Sequence, residues 1–296
     1  MPRRPSISRH ADRLTQGTPV EALVGRMDAV AEGGPRADTV PTGFPSIDRM
    51  LGGGLRKQDL VILAGDVGAG KSSLGLAIAV RSAKQGHAAT MLSAEMTEER
   101  LLERALAMEG RVPVDQIRGG RLDDAARSAI GAAALKIRDL PLTLRRLAGS
   151  SFDELRQALR AVPRQALLVV DSVQALAAGV GSTTADEGAA TAIQHLKDLA
   201  LERDVAVLAL AHTPGLLPGR EDPRPTLEDL RALGAPKQLA DVVLAIFREE
   251  MYRPGYGIEG ATELIVAKNR NGQTRFVDLY FYGKWLRFED MLDPDR

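Results

Sequence analysis

The chain has 296 residues, and 39 Lys plus Arg balance 39 Asp plus Glu to a formal net charge of zero. That balance excludes a wholly basic protein that coats nucleic acid, although a local basic patch suffices for phosphate contacts. The absence of cysteine excludes disulfides, iron–sulfur clusters, thiolate zinc sites and cysteine nucleophiles together. The length suits one large α/β domain with short extensions, or two small domains. The longest apolar runs, such as "ALLVV", are too short to span a bilayer, and the basic N-terminus has no apolar stretch behind it that would make a secretory signal. A cytoplasmic chain without membrane contact is the expectation.

In chain order, residues 1–18 are polar, basic and without periodicity, and read as a flexible tail. Val20, Leu23, Val24, Met27 and Val30 recur at helical spacing, and Gly33 and Gly34 end the pattern, so a short amphipathic helix is expected ahead of the main body. It would pack on its own domain or on a neighbouring subunit. From about residue 40 strands and helices alternate. "DLVILAG" (59–65) is an apolar strand ending in glycine, followed by the helical "KSSLGLAIAVRSAKQG". "HAATMLSAE" reads as strand and "TEERLLERALAME" as helix. "LTLRRL" and "QALLVVDS" read as strands around the helical "SFDELRQALRAV"; "AATAIQHLKDLALERD" is a helix before the buried strand "VAVLALAH". Apolar strands alternating with helices predict a mostly parallel sheet covered on both faces. The last segments, "ADVVLAIFRE", "ATELIVAKN", "RFVDLYFYG" and "KWLRFE", read as strands joined by turns, with Asn271-Gly272 as one such turn.

"GDVGAGKSS", the stretch Gly65, Asp66, Val67, Gly68, Ala69, Gly70, Lys71, Ser72, Ser73, matches the phosphate-loop pattern G-x-x-x-x-G-K-[ST]. Its glycines allow backbone N–H groups to turn around an anion, and the following helix presents its positive end to the same point. Lys71 would reach the terminal phosphates of ATP, and the Ser72 hydroxyl would hold Mg²⁺. A second metal ligand is expected at the end of a buried strand, where "ALLVVDS" supplies Asp171. "MLSAEM" puts Glu95 at the carboxyl end of another strand, beside the expected γ-phosphate, as the group that orients water. The same glutamate would also suit the start of the next helix, near Thr97 and Glu98. His212 ends "ALAH" on the same edge and is a candidate γ-phosphate sensor.

Together these residues resemble the RecA-like ATPases, and most closely the C-terminal motor domain of DnaB-type replicative helicases, over about Val20 to Phe288. "PTGFPSIDRML" is similar to the family's lead-in to the phosphate loop, "LSAEM" to its catalytic-glutamate motif and "LLVVDSVQAL" to its Walker B strand. "LEDLRALGAPKQLADVVLAIFREEMY" resembles the segment with its DNA-contacting loop, and "KNRNG" the motif that carries its arginine finger. At the sensor position the family usually has glutamine where this chain has His212. "LGGGL" and "AH" are more similar to the RadA and KaiC branches of the superfamily.

The resemblance implies a RecA-like core over 35–296, with 19–34 as a linker helix that docks on an adjacent subunit. It implies a homo-hexameric ring in which Lys268 and Arg270 reach the ATP of the next subunit. It points to Arg231 and Gly234 as contacts to single-stranded DNA, with a loader or primase as further partners. An ATP-driven helicase of DNA replication follows; a RadA-like repair ATPase and a KaiC-like nucleotide-switched regulator stand as alternatives.

Overall fold

The structure is a computed structural model that describes residues 18–33, 38–149, 151–162, 165–182, 184–213, 220–255 and 257–291. The tail expected over residues 1–18 lies outside these, Thr18 excepted. The chain divides into two units at residue 39.

The first unit contains helix α1 (Pro19–Ala31). Thr18 and Glu21 close a capping box at its start, with Pro19 in the first turn, so orphan N–H groups are satisfied from both sides. Gly33 takes a positive φ of 87° just past its end. Val20, Leu23, Val24 and Met27 repeat along one face and are exposed.

The second unit begins with a two-stranded ribbon, β1 (Thr39–Val40) and β2 (Leu55–Arg56), around the short helix α2 (Pro45–Met50). Then β3 (Leu60–Gly65) leads into α3 (Lys71–Lys84), and β4 (Ala89–Ser93) into α4 (Glu98–Gly110). Two helices follow, α5 (Val114–Arg118) and α6 (Asp124–Arg138), in a stretch that the apolar pattern leaves unassigned. Next come β5 (Leu142–Arg146), α7 (Phe152–Arg160), β6 (Leu167–Asp171), α8 (Val173–Ala177), α9 (Ala185–Arg203) and β7 (Ala206–His212). After the short α10 (Ala235–Leu239), β8 (Val242–Phe247), β9 (Ala261–Asn269), β10 (Phe276–Tyr282) and β11 (Arg287–Asp290) complete the chain.

Nine strands form one sheet in the order β11-β10-β9-β8-β3-β7-β6-β4-β5. The six strands from β8 to β5 run parallel, and β9, β10 and β11 are antiparallel additions. Every residue of β3, β6 and β8 is buried, as expected for strands covered on both faces. β9 and β10 alternate instead, with one face packed and one open. The core divides accordingly. Val61, Leu63, Met91, Val169 and Leu244 pack towards α3 on one face, and Ile62, Leu92, Val170, Val207 and Val243 pack towards α9 on the other. Truncating one such fully buried leucine to alanine costs roughly 2–5 kcal/mol.

Three expectations need correction. The helix expected from Ala189 starts at Ala185, because Thr184 and Glu187 form a capping box there. "KWLRFE" is not one strand: a short 3₁₀ turn spans Gly283–Trp285, Leu286 takes a positive φ of 53°, and only Arg287–Asp290 extends. Asn271-Gly272 is not a two-residue hairpin turn either. Six residues separate β9 from β10, neither Asn271 nor Gly272 has positive φ, and Asn271 is drawn aside by donating to Asp59 Oδ2 at 2.8 Å.

Candidate functional site

Parallel strands in register bring the candidate residues to one edge. Gly65 ends β3 opposite His212 of β7 and Ile246 of β8. Ser93 ends β4 opposite Asp171 of β6. The phosphate-loop pattern, Glu95, Asp171 and His212 therefore share the carboxyl edge of the sheet, where open α/β folds hold their ligands.

The loop is shaped by backbone geometry. Gly68 and Gly70 have positive φ of 83° and 103°, and Gly70 caps α3 in the left-handed region. Lys71 is buried and donates to the carbonyls of Gly65 at 3.0 Å and Asp66 at 2.8 Å, so its stem folds back along the loop. Burial pulls its ammonium below the ordinary lysine range, against the nearby carboxylates of Asp171, Glu95 and Asp66. The first N–H groups of α3 have no intrahelical partner and point out of the helix start, as an anion site requires.

Asp171 is buried, and its Oδ2 has no hydrogen-bond partner among the described residues. Burial pushes its carboxyl above the usual aspartate range, with Glu95 adding to that, against a hydrogen bond with Ser72 and the charges of His212 and Lys71. An orphaned carboxylate oxygen beside a serine hydroxyl is a donor set that fits a hard divalent cation such as Mg²⁺.

Glu95 is held from several sides. Ser93 Oγ accepts the N–H groups of Glu95 at 3.2 Å and Met96 at 3.0 Å, and Asp171 O accepts the Ala94 N–H at 2.7 Å. These bonds turn the chain after β4 across the end of β6. Glu95 Oε1 then accepts from Ser172 Oγ at 2.6 Å and lies 3.1 Å from His212 Nε2. Burial works to raise the Glu95 carboxyl, but the bonds from Ser172 and His212, with the charges of His212 and Lys71, outweigh it and hold the group low. The helix-cap role belongs to Thr97, whose side chain accepts the Arg100 N–H.

Two residues that the motifs do not single out complete this network. Ser172 both holds Glu95 and caps α8 by accepting the Ala175 N–H at 3.4 Å. Gln174 brackets the backbone of His212: its Oε1 accepts the His212 N–H at 3.0 Å and its Nε2 donates to the His212 carbonyl at 3.2 Å. Sequence alone carries no signal for either, because the role of Ser172 depends on β6 lying beside β4 and that of Gln174 on β6 lying beside β7. Arg248 is a third. It follows β8, stacks over Phe281 at 4.6 Å and approaches Gly68 O at 3.4 Å, so a cation of the same chain does stand near the loop, matched by Glu250.

Lys268 and Arg270 are not brought to this edge. β9 is antiparallel to β8, with Asn269 opposite Val242 and Glu263 opposite Phe247. Both cations therefore lie towards the amino edge: Arg270 is level with Asp241, roughly 17 Å of strand from the level of Gly65, and Lys268 is opposite Val243, roughly 10 Å from it, at about 3.3 Å per residue. Arg270 Nη1 donates to Asp241 Oδ1 at 3.1 Å, and Lys268 Nζ donates to Lys237 O at 2.6 Å and to Ala240 O. Burial, then the charge of Arg270, lowers the Lys268 ammonium.

Arg231 lies between two short 3₁₀ turns, and Gly234 ends the second of them, just before α10. Arg231 is exposed and has φ 47°, as does the buried Ala232, and Gly234 has φ 76°. Two successive non-glycine residues at positive φ store strain of about 1–3 kcal/mol each. Such strain persists where the surroundings impose it and marks segments for functional scrutiny. Here the Ala232 N–H donates to Asp186 Oδ1 at 3.3 Å, which anchors the strained pair on α9.

Comparison with known proteins identifies the family and the fold. Residues 39–290 match the DnaB-like helicase C-terminal domain family. The replicative DNA helicase DnaB of Leifsonia xyli subsp. xyli is 33% identical over 256 residues, which cover 85% of this chain and 56% of that protein. The Pasteurella multocida replicative DNA helicase DnaB is 31% identical over 283 residues, covering 93% and 60%. The chain thus spans somewhat more than half the length of these relatives. Among solved structures, an isolated ATPase domain superposes with a TM-score of 0.82 at 26% identity, covering 93% of this chain and 99% of that one. A DnaB-like replicative helicase studied with primase gives a TM-score of 0.81 at 25% identity, covering 93% and 67%.

Proposed function

The chain belongs to the DnaB-like helicase C-terminal domain family, and from that premise we propose that it is the ATP-hydrolysing motor of a ring-forming helicase that moves on single-stranded DNA during replication. The observation that carries the reading is the split between the two edges of the sheet. Glu95, Lys71 and Asp171 stand at the carboxyl edge, while Arg270 stands at the amino edge of the same subunit. A cation so placed cannot reach its own phosphate loop, and a ring of copies, six by family, would bring it to the next one.

In this reading Gly65 to Ser73 cradle the phosphates of ATP, and Lys71 turns from the Gly65 and Asp66 carbonyls to the terminal phosphates. Ser72 and the free Oδ2 of Asp171 would hold Mg²⁺, whose contribution is positive charge against the phosphate oxygens. Glu95, held low by its donors, stays a carboxylate that can orient and deprotonate water. His212, hydrogen-bonded to Glu95, senses the γ-phosphate and sits directly before the segment leading towards Arg231. Arg270, with Lys268 beside it, stabilises charge on the transferring phosphoryl group of the neighbour, a term worth roughly 10³–10⁵ in rate. Its planar fork suits that task better than an ammonium.

Arg231 and Gly234 form the proposed DNA contact. Arg231 pairs with backbone phosphate, and the left-handed Gly234 lets the chain approach closely. α1 serves as the linker helix that docks its exposed apolar face on an adjacent subunit, ahead of a motor over residues 35–296. No helix among the described residues is long and apolar enough to cross a membrane. A cytoplasmic site of action, with a loader or primase as partner, completes the reading, and one solved DnaB-like helicase was studied with primase.

The test is a mixture of two inactive proteins. Arg270→Ala and Glu95→Ala are each expected to bind ATP without turning it over. Mixed interfaces pair an intact glutamate with an intact arginine, so hydrolysis returns on mixing. No recovery in any ratio, with subunit exchange confirmed, sinks the trans arrangement. ATP turnover that ignores single-stranded DNA sinks the translocase.

A further inference from the structure

The amino edge of the sheet holds a junction that the nucleotide site does not use. Asp241, just before β8, is buried. Its Oδ2 accepts the Leu60 N–H at 2.8 Å and Lys197 Nζ at 2.7 Å. Its Oδ1 accepts Arg270 Nη1 at 3.1 Å, and its carbonyl accepts the Arg270 N–H at 2.9 Å. One carboxylate thus ties the start of β3, the α9 lysine and the end of β9 together. The other tethers are carbonyls of the same segment. Arg270 Nη2 donates to Gln238 O, and Lys268 Nζ donates to Lys237 O and Ala240 O. These acceptors for the two cations all lie within residues 237–241, at and just past the end of α10.

The two cations on Asp241 are unequal. The Lys197 side chain is 15% exposed, whereas that of Arg270 is 47% exposed. A buried carboxylate needs a charge partner and hydrogen bonds, and Lys197 with the Leu60 N–H already supplies both. Arg270 adds a contact that the carboxylate does not need for its own solvation. What the contact does is orient the guanidinium: Nη1 and Nη2 face inward to Asp241 and Gln238, and the side chain's exposed part faces outward.

We propose that Asp241 is a positioning residue for Arg270. It fixes the plane from which the guanidinium is presented to a phosphate on a neighbouring copy, and Lys197 keeps its charge compensated when Arg270 engages that phosphate. This rests on the reading of Arg270 as a group that acts in trans. It also gives α10 a second meaning. The helix starts at the left-handed Gly234 and ends on the carbonyls that seat both cations, so a shift at the proposed DNA contact reaches the seat through one five-residue helix.

The test uses the full chain. Asp241→Asn keeps an acceptor for Leu60 and removes the charge that holds Arg270. Its DNA-stimulated kcat is expected to fall about 10–100-fold, the scale of a reacting group misplaced by about 1 Å, with KM for ATP unchanged. The decisive readout is complementation. Asp241→Asn subunits retain an intact nucleotide site, and Glu95→Ala subunits retain an intact seat and arginine, so mixing them restores hydrolysis. A defect in folding or assembly would not recover in this way. If Asp241→Asn does not assemble, Asp241→Glu keeps the charge but displaces the oxygen by a methylene, with the same loss and the same rescue expected. Full activity of the variants, or loss that Glu95→Ala subunits do not rescue while the Arg270→Ala mixture recovers, overturns the proposal. If the Arg270→Ala mixture itself does not recover, the trans reading fails and the positioning role fails with it.

Discussion

Ser172 Oγ donates to Glu95 Oε1 at 2.6 Å, and Ser172 directly follows the buried Asp171. One peptide step therefore separates the proposed metal ligand from the residue that holds the proposed base. Donation to the charged form of a carboxylate lowers its pKa, and Glu95 lies low for this reason despite its burial. A base works while deprotonated, so hydrolysis at limiting ATP should persist as pH falls through the usual glutamate range and fail only below it. Ser172→Ala removes a donor and raises the Glu95 carboxyl, which shifts the acid limb of kcat/KM to higher pH. Profiles for the two proteins that overlay along the acid limb would remove Ser172 from this role.

Lys71 gives a prediction on binding. Its ammonium is buried and held by two loop carbonyls, with carboxylates nearby but none bonded to it among the described residues, so a polyphosphate offers a direct charge partner. A ligand bound only by the folded state stabilises it by about 2.7 kcal/mol at a hundred times its Kd. The melting temperature should rise with ATP in the natural protein and stay flat in Lys71→Ala, alongside lost turnover. A melting curve of Lys71→Ala that still shifts with ATP moves the nucleotide elsewhere.

What could be read from the sequence depended on where each signal resides. β3, β6, β7 and β8 are unbroken apolar runs, and their carboxyl ends carry Gly65, Asp171, His212 and Phe247. Strand identity alone thus located most of the candidate site's residues at one sheet edge. α6 was harder, because its apolar residues are mainly small alanines interrupted by Gly131, although Asp123 caps it by accepting the Ala126 N–H. Ser172 became meaningful only when β4 and β6 proved adjacent, and Gln174 only when β6 and β7 did. The hairpin after β9 misled for the same reason. Asn271-Gly272 suits a tight turn locally, but the contacts of Asn271 to Asp59 and of Arg270 to Asp241 reach residues 212 and 29 positions away in sequence and open the turn.

Glycine at position 70 answers to two demands at once. Its φ of 103° lies in the left-handed half of the map, and a Cβ there would stand 2.8 Å from Cζ of the fully buried Phe288. Phe288 is itself packed on Phe281 with centroids 4.6 Å apart, so it has no room to yield. Gly70→Ala should cost about 1–3 kcal/mol from overpacking and about 1–2 kcal/mol from the backbone. Gly131 is the contrast, since it is helical with open space around its Cβ position. Gly131→Ala should stabilise by about 0.5–1 kcal/mol. Denaturant midpoints measure both, and a Gly70→Ala protein as stable as its parent would mean that the loop and Phe288 repack freely.

Arg231 separates a DNA contact from a plain surface loop. The segment is tied down on both sides: Asp229 accepts from Arg220 at 2.7 Å and from the Thr226 N–H at 2.6 Å, and Ala232 donates to Asp186. Arg231 itself is exposed, with a strained backbone that nothing in its own side chain explains. A phosphate contact neutralises one charge and releases counterions, so each such contact adds to the salt dependence of binding by about 0.7 in the logarithmic slope for a single strand. Arg231→Ala should weaken binding to single-stranded DNA about equally for every sequence tested, and flatten the salt slope by about that amount per subunit engaged. Turnover without DNA should be unchanged, because Arg231 lies far along the chain from Glu95 and Lys71 and contacts neither. Titrations at several salt concentrations decide it: an unaltered slope would return this segment to an ordinary surface loop, and its strain would need another cause.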